Sequence, residues 1–332
     1  MAPHLIYGYE LSYFTRKVEA AFQLAGVSYE RVPKTLWRKW PLERLAGTHQ
    51  VPVVRTPTRR LLIDSTPIIS YIDDLGGSTR LHGDGPAGVL VRVVEEWLDE
   101  WTPRVVLHYR WNLSECASLA SSALARELLP IGPRRVRRTM AGTIASWGRR
   151  ACRALGVDTP HQQAAAEAEA LRLFEALERQ LGETAFALGD RPTAVDATLL
   201  GGLRAHFLQD PAPRRTLESF PRVVAWATDT PSARPGAPLL TFPTTTPFGQ
   251  FVLAELAGPY QRYARANAEA LAAGEKSFNI EVYDREQSYL ARPYPEQSRR
   301  MVIEAIARLD VSERAAVDRW LVEHDLDQLF GA

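Results

Sequence analysis

Strand and helix periods alternate through the first 75 residues at lengths that leave few topologies open. His4-Leu5-Ile6-Tyr7 is a short apolar strand. Val18, Ala21, Phe22 and Ala25 then recur at helical spacing, and Gly26 ends the helix where a positive φ is favoured. Val27 to Val32 reads as a second strand. TLWRKWPLERLA predicts a short, irregular helix at best, because Pro41 removes a backbone donor inside it. Val51-Pro52-Val53-Val54 and Leu61-Leu62-Ile63 form a hairpin around PTRR. A last helix opens at Ser65, where Ser-Thr-Pro sets a cap ahead of an N1-like proline, and runs to GGS at 76–78. The order βαβ-α-ββα, a right-handed crossover followed by a hairpin, predicts a small mixed sheet covered by helices.

After GGSTRLHGDGPAG the composition turns to helix formers. VLVRVVEEWLDEWTPRVVLHYRW, HQQAAAEAEALRLFEALERQLG and VDATLLGGLRAHFL all carry apolar residues every three or four positions. The stretch from Pro231 to Pro247 holds five prolines and reads as an extended connection. Two further helical stretches follow, near 248–273 and 296–328, with SFNIEVY between them as a short strand or an extended loop. The fold class is therefore α/β followed by all-α. The segments are drawn at 1–77, 88–235 and 236–332, the last packing on the helical part.

Bulk properties exclude several roles. At 332 residues the chain exceeds one average domain, and 45% hydrophobic residues suffice for a core. A net charge of +1 makes no global case for nucleic acid or an anionic membrane, and neither is expected as a partner. Cys116 and Cys152 give no disulfide framework and suit a reducing cytoplasm. MAPHLIYGYE has no signal core, and no apolar run approaches a membrane span, so a soluble cytoplasmic protein is expected. The seven histidines are scattered without paired ligand spacing, so no metal is expected.

Five landmarks in order resemble the cytosolic glutathione transferases. Ser12-Tyr13-Phe14-Thr15-Arg16-Lys17-Val18 is similar to the serine-type start of that family's first helix, and Val51-Pro52 to its cis-proline dipeptide. Asp64-Ser65, followed by Ile68, resembles the acidic-Ser pair used for glutathione. Thr193-Ala194-Val195-Asp196 after GDRP, and FPRVVAW at 220–226, resemble the start of a buried helix and the segment after it. The likeness runs from about Leu5 to residue 230; the last 90 or so residues exceed the family's usual length and look like the tail of a less-studied bacterial branch. It implies a thioredoxin-like N-terminal domain followed by a helical C-terminal domain, glutathione as co-substrate, a homodimer and a role in detoxification.

The resemblance assigns roles residue by residue. A dithiol fold would carry Cys-x-x-Cys where Ser12 and Thr15 stand, and neither hydroxyl can form a disulfide. As a helix N-cap, Ser12 sits where free N–H groups and the positive helix end favour an anion, so it is the expected thiolate donor. Tyr9 is its rival, ahead of Tyr7 and Tyr13. Val51 offers its backbone to the tripeptide, with Pro52 turning the peptide. Ser65 opens a helix N-terminus for the γ-glutamyl carboxylate and Asp64 pairs with its ammonium. Among Arg38, Lys39, Trp40, His49 and Gln50, the choices for the glycine carboxylate are His49 and Lys39. Thr193 with Asp196 reads as a capping box, a folding element rather than a catalytic acid. The basic run RRVRRTMAGTIASWGRR reads as a solvated helix face, or as a wall favouring a carboxylated electrophile. Arg80, Trp97 and Trp101 lie where a partner subunit would pack.

The implied reaction is addition of the glutathione thiolate to an apolar or carboxylated electrophile. A glutathione-dependent isomerase, a peroxidase, an ether-cleaving enzyme and a non-catalytic glutathione- or protein-binding module remain alternatives.

Overall fold

The structure is a computed structural model and describes residues 2–76, 79–232, 237, 238 and 240–331. In chain order the first elements are β1 His4–Gly8, α1 Tyr13–Leu24, β2 Tyr29–Pro33, α2 Leu36–Ala46, β3 Val53–Arg55, β4 Leu61–Ile63 and α3 Ser65–Asp74. The helices α4 Gly85–Glu100, α5 Pro103–Leu107, α6 Ser114–Leu128, α7 Arg134–Ala154, α8 Pro160–Gln180, α9 Ala194–Gly202, α10 Pro211–Leu217 and α11 Pro221–Thr228 follow. The C-terminal part holds α12 Pro247–Glu255, α13 Gln261–Ala272, β5 Ser277–Val282, β6 Arg285–Leu290, α14 Pro293–Ala307, α15 Val311–Glu323 and α16 Asp327–Phe330.

The chain divides into two compact units. Unit 1 comprises Met1–Leu81, Val106–Ala151 and Asp196–Ala233. Its sheet has the order β2-β1-β3-β4, with β1 parallel to β2 and antiparallel to β3, and β3 antiparallel to β4. This is the expected βαβ-α-ββα thioredoxin-like arrangement. Ile6, Val53 and Val54 are fully buried, as are Val18 and Phe22 of α1 and Ile68 and Ile69 of α3. His4 joins β1 to α3 through Nε2 and the Tyr71 hydroxyl at 3.1 Å. Gly26, at φ +68, stops α1 as its position predicts.

Pro41 does not disrupt its helix. α2 runs unbroken through it, and Leu42 is its buried residue while Trp37 and Trp40 are exposed. A helix lying this openly can turn the carbonyl freed by a proline toward water, which is why the break is tolerated.

Unit 2 comprises His82–Val105, Cys152–Val195 and Arg234–Ala332. Here α4 packs against α12, α14 and α15, and α8 against α12. α4 begins at Gly85, inside the stretch expected to be a linker. SFNIEVY resolves as β5, paired antiparallel to β6 from Ser277↔Leu290 to Val282↔Arg285. The turn between them holds Tyr283 and Asp284, both at positive φ. The Tyr283 hydroxyl donates to Glu169 at 2.6 Å and accepts from Arg104 at 2.5 Å, while the Trp101 indole donates to Glu169 at 3.1 Å. Trp97 and Trp101 are 0% and 2% exposed. They are core residues, not the partner-facing pair that the sequence suggested, since burying a ring of that size outweighs any role at a rim.

The segment ends drawn at 77, 235 and 236 fall outside the described residues, as does part of the proline-rich connection. Among the described residues no helix is long and apolar enough to cross a membrane.

Candidate functional site

Strand register brings the expected residues of unit 1 to one end of its sheet. Tyr7 pairs with Val53, so the chain leaving β1 after Gly8 runs beside the chain entering β3 through Val51 and Pro52. Val53 pairs with Ile63, so Asp64 and Ser65 leave β4 at the same level. Three chain segments thus meet at the C-terminal end of β1.

The first segment is the turn from Tyr9 to Ser12. Ser12 has extended backbone angles (φ −96°, ψ 121°), and its Oγ accepts from the Thr15 N–H at 3.3 Å. That is a helix N-cap, and with Oγ accepting, the hydroxyl proton remains available to donate outward. Ser12 is half-buried. Thr15 differs: it is fully buried and accepts from the Tyr9 N–H at 3.4 Å, so it serves packing. A Cβ on Gly8 would lie 2.3 Å from Thr15 Oγ1, so only glycine fits beside that threonine.

Two side chains far along the sequence hold this turn. Both carboxylate oxygens of Glu127 accept from the Glu10 N–H, at 3.0 and 3.1 Å. The Arg110 guanidinium donates to the Leu11 carbonyl at 2.6 Å, to the Ala205 carbonyl at 2.5 Å and to Asp210 at 2.8 Å. Arg110 lies in a π-helical turn, His108–Asn112, and His206 beside it lies in another, Leu203–Phe207. Burial lowers Arg110 and raises Asp210, and their mutual attraction offsets both effects. Burial and the Arg110 charge hold His206 neutral, well below the usual imidazole range. Sequence reading missed Arg110 and Glu127. The π turn that carries Arg110 has no simple periodic signal, and Glu127 sits on α6 among other polar helical residues.

Tyr9 is half-buried, and its phenol is pushed up by burial first and by the Glu127 and Glu43 carboxylates next. It keeps its proton far above neutral pH.

The second segment carries a cis Val51-Pro52 bond, as expected. Pro52 is buried and Val51 half-buried. The third opens α3 through Asp64, whose carboxylate accepts from the Thr66 N–H at 3.4 Å while its backbone sits at φ +69°. Ser65, the first residue of the helix, is 5% exposed.

Lys39 lies on α2 and His49 on the loop after it. Neither side chain has a hydrogen bond among the described residues. The residue that organises this region is Lys34, 1% exposed, which donates to the His49 carbonyl at 2.7 Å and pairs with Glu43 at 2.8 Å. The sequence reading passed over it. Among the described residues no group of three histidine, cysteine or acidic side chains gathers as a metal site.

The family model of the glutathione S-transferase N-terminal domain matches residues 11–75, and that of the C-terminal domain matches 142–235. No curated protein matches the chain in sequence. Solved structures do. A glutathione S-transferase from Rhodospirillum rubrum F11 is 18% identical with a TM-score of 0.45, over 73% of this chain and 95% of that one. The beta-etherase LigF from Sphingobium sp. strain SYK-6 is 15% identical with a TM-score of 0.47, over 68% and 94%. Rice GST1, solved in complex with glutathione, is 20% identical with a TM-score of 0.41, over 68% and 86%. With both family models matched in order along the chain, this protein belongs to the glutathione transferase superfamily.

Proposed function

We propose that the chain is a glutathione-dependent transferase whose Ser12 hydroxyl stabilises the glutathione thiolate for attack on an apolar or carboxylated electrophile. The observation that carries this reading is the register that brings Ser12, Val51-Pro52 and Asp64-Ser65 to one end of the sheet. A free thiol near a pKa of about 8.5 is only a few per cent ionised at neutral pH. One donated hydrogen bond and the positive end of α1 lower that by about one to two units, which makes the thiolate dominant. Serine fits because it donates while staying neutral. Tyr9 is the weaker candidate, although its raised phenol remains a competent donor.

In this reading the Val51 backbone holds the tripeptide amide, Ser65 and Asp64 take the γ-glutamyl end, and Lys39 and His49 take the glycine carboxylate. The segment 1–77 binds glutathione, 88–235 supplies the electrophile pocket and 236–332 packs on it. The protein works as a cytoplasmic homodimer in detoxification.

The test is thiolate absorbance of the glutathione complex against pH. Ser12→Ala should keep binding yet raise the bound thiol's pKa by about one unit or more, lowering turnover at neutral pH about tenfold. Tyr9→Phe should do much less. A titration that moves with Tyr9→Phe and not with Ser12→Ala would make Ser12 a helix cap alone. A chain that binds no glutathione at millimolar concentration would overturn the whole reading.

A further inference from the structure

α7 is a long surface helix, and a carboxylated electrophile would engage only part of its charge. Its 21 residues, RRVRRTMAGTIASWGRRACRA, contain seven arginines and no acidic residue. The chain as a whole carries +1, so this segment concentrates charge that bulk composition hides. Arg134, Arg135, Arg138 and Arg149 are exposed and make no ion pair among the described residues.

The helix is also amphipathic, and little covers its apolar side. Val136, Met140, Ile144, Trp147 and Ala151 recur every three or four residues and line one stripe. Val136 is 45% and Trp147 56% exposed, and Met140 and Ile144 are only half-buried. The helix approaches the rest of unit 1 at a different position. There Gly148 lies so close to the Trp111 ring that a Cβ would fall 2.1 Å from it. Beside the stripe, the hydroxyls of Thr139 and Thr143 donate to carbonyls one turn back, both at 3.3 Å. These polar groups are already satisfied, so removing water from this side of the helix costs little.

We infer that α7 is an interfacial helix that lays its apolar stripe into the surface of an anionic lipid bilayer. Charge complementarity selects that occupant. A second copy of the chain would set seven arginines against seven, which repels. Nucleic acid would use the arginines and leave the tryptophan stripe in water. A protein helix is registered by charges of both signs, whereas a helix of a single sign suits a diffuse anionic plane. At about 31 Å the helix lies along the surface with its tryptophan at headgroup depth and its arginines reaching lipid phosphates. The chain's near-neutral total, which argues against membranes in general, does not bear on this one face.

The test is co-sedimentation of the full chain with vesicles at physiological salt. Mixed phosphatidylcholine–phosphatidylserine vesicles should pull the chain down, and pure phosphatidylcholine vesicles should not. Arg150→Gln, at an exposed position flanking the stripe, should weaken the partition about fivefold, the equivalent of roughly 1 kcal/mol for one arginine near an anionic surface. Trp147→Ala should weaken it about tenfold through lost apolar insertion. Both residues are exposed, so circular dichroism and Tm should stay unchanged. No binding to anionic vesicles overturns the inference, as does equal binding to neutral ones. Binding that survives Trp147→Ala while falling with Arg150→Gln is plain adsorption and overturns it too. So does a dimer, seen by light scattering, that Trp147→Ala dissolves, because the stripe would then be covered by protein.

Discussion

Glu96→Gln should stabilise the protein, and more so at high pH. Glu96 is buried on α4 inside unit 2, where its carboxylate accepts from the Tyr260 hydroxyl and, at 2.5 Å, from the Ser298 hydroxyl. Burial pushes it up to about 7, with the Asp99 and Glu95 carboxylates adding to the effect and the two hydroxyls opposing it. An acid whose pKa is raised in the folded state contributes stability that is complete below its unfolded value near 4.5. That contribution is lost as pH rises through about 7. A gap of roughly 2.5 units at about 1.4 kcal/mol each gives a total of about 3 to 4 kcal/mol, of which about 2 to 3 kcal/mol falls between pH 5 and pH 8. Glutamine keeps the packing. Each hydroxyl can donate or accept, so the amide retains both contacts with one hydroxyl reversed. Urea unfolding of wild type and variant at pH 5, 6, 7 and 8 gives the difference directly, and the titrating groups that do not interact with Glu96 cancel in it. The difference should grow by about 2 to 3 kcal/mol toward pH 8 in favour of the variant. Curves that run parallel across the range would show that Glu96 ionises without cost, and the reasoning would fail.

The remaining predictions concern the site. Arg110→Met should destabilise by about 3–5 kcal/mol, because it leaves Asp210 charged and buried and strips the Leu11 and Ala205 carbonyls of their donor. Adding Asp210→Asn should restore part of that, and the double variant's urea midpoint shows whether it does. Asp64→Gly should hold or raise Tm, since glycine accepts φ +69° without the roughly 1–3 kcal/mol that such backbone stores. The same variant should shrink the thermal shift produced by glutathione, because the carboxylate is gone. A Tm that falls along with the shift would make Asp64 a helix cap first.

What could be read from the sequence was local, and what could not was carried over distance. The βαβ-α-ββα order, the stop at Gly26 and the cap at Ser12 each depend on a few neighbouring residues, so a linear pattern contains them, although the cap of α3 falls on Asp64, one residue before the expected Ser65. Pro41 misled because a propensity rule has no knowledge of how exposed a helix will be. Trp97 and Trp101 were read toward a partner for a similar reason: a helical stripe is the same string of letters whether it meets a subunit or its own core. The turn that presents Ser12 shows the limit best. Its backbone is held by Arg110 and Glu127, 99 and 117 positions away from the groups they bind. One donates to Leu11 and the other accepts from Glu10, so the two peptide groups ahead of the cap are fixed from opposite charges. No periodicity encodes that pairing, yet a hydroxyl proposed to face a thiolate needs its turn held still. The chemistry of the site is written beside Ser12, and the rigidity that the chemistry requires is written a hundred residues later.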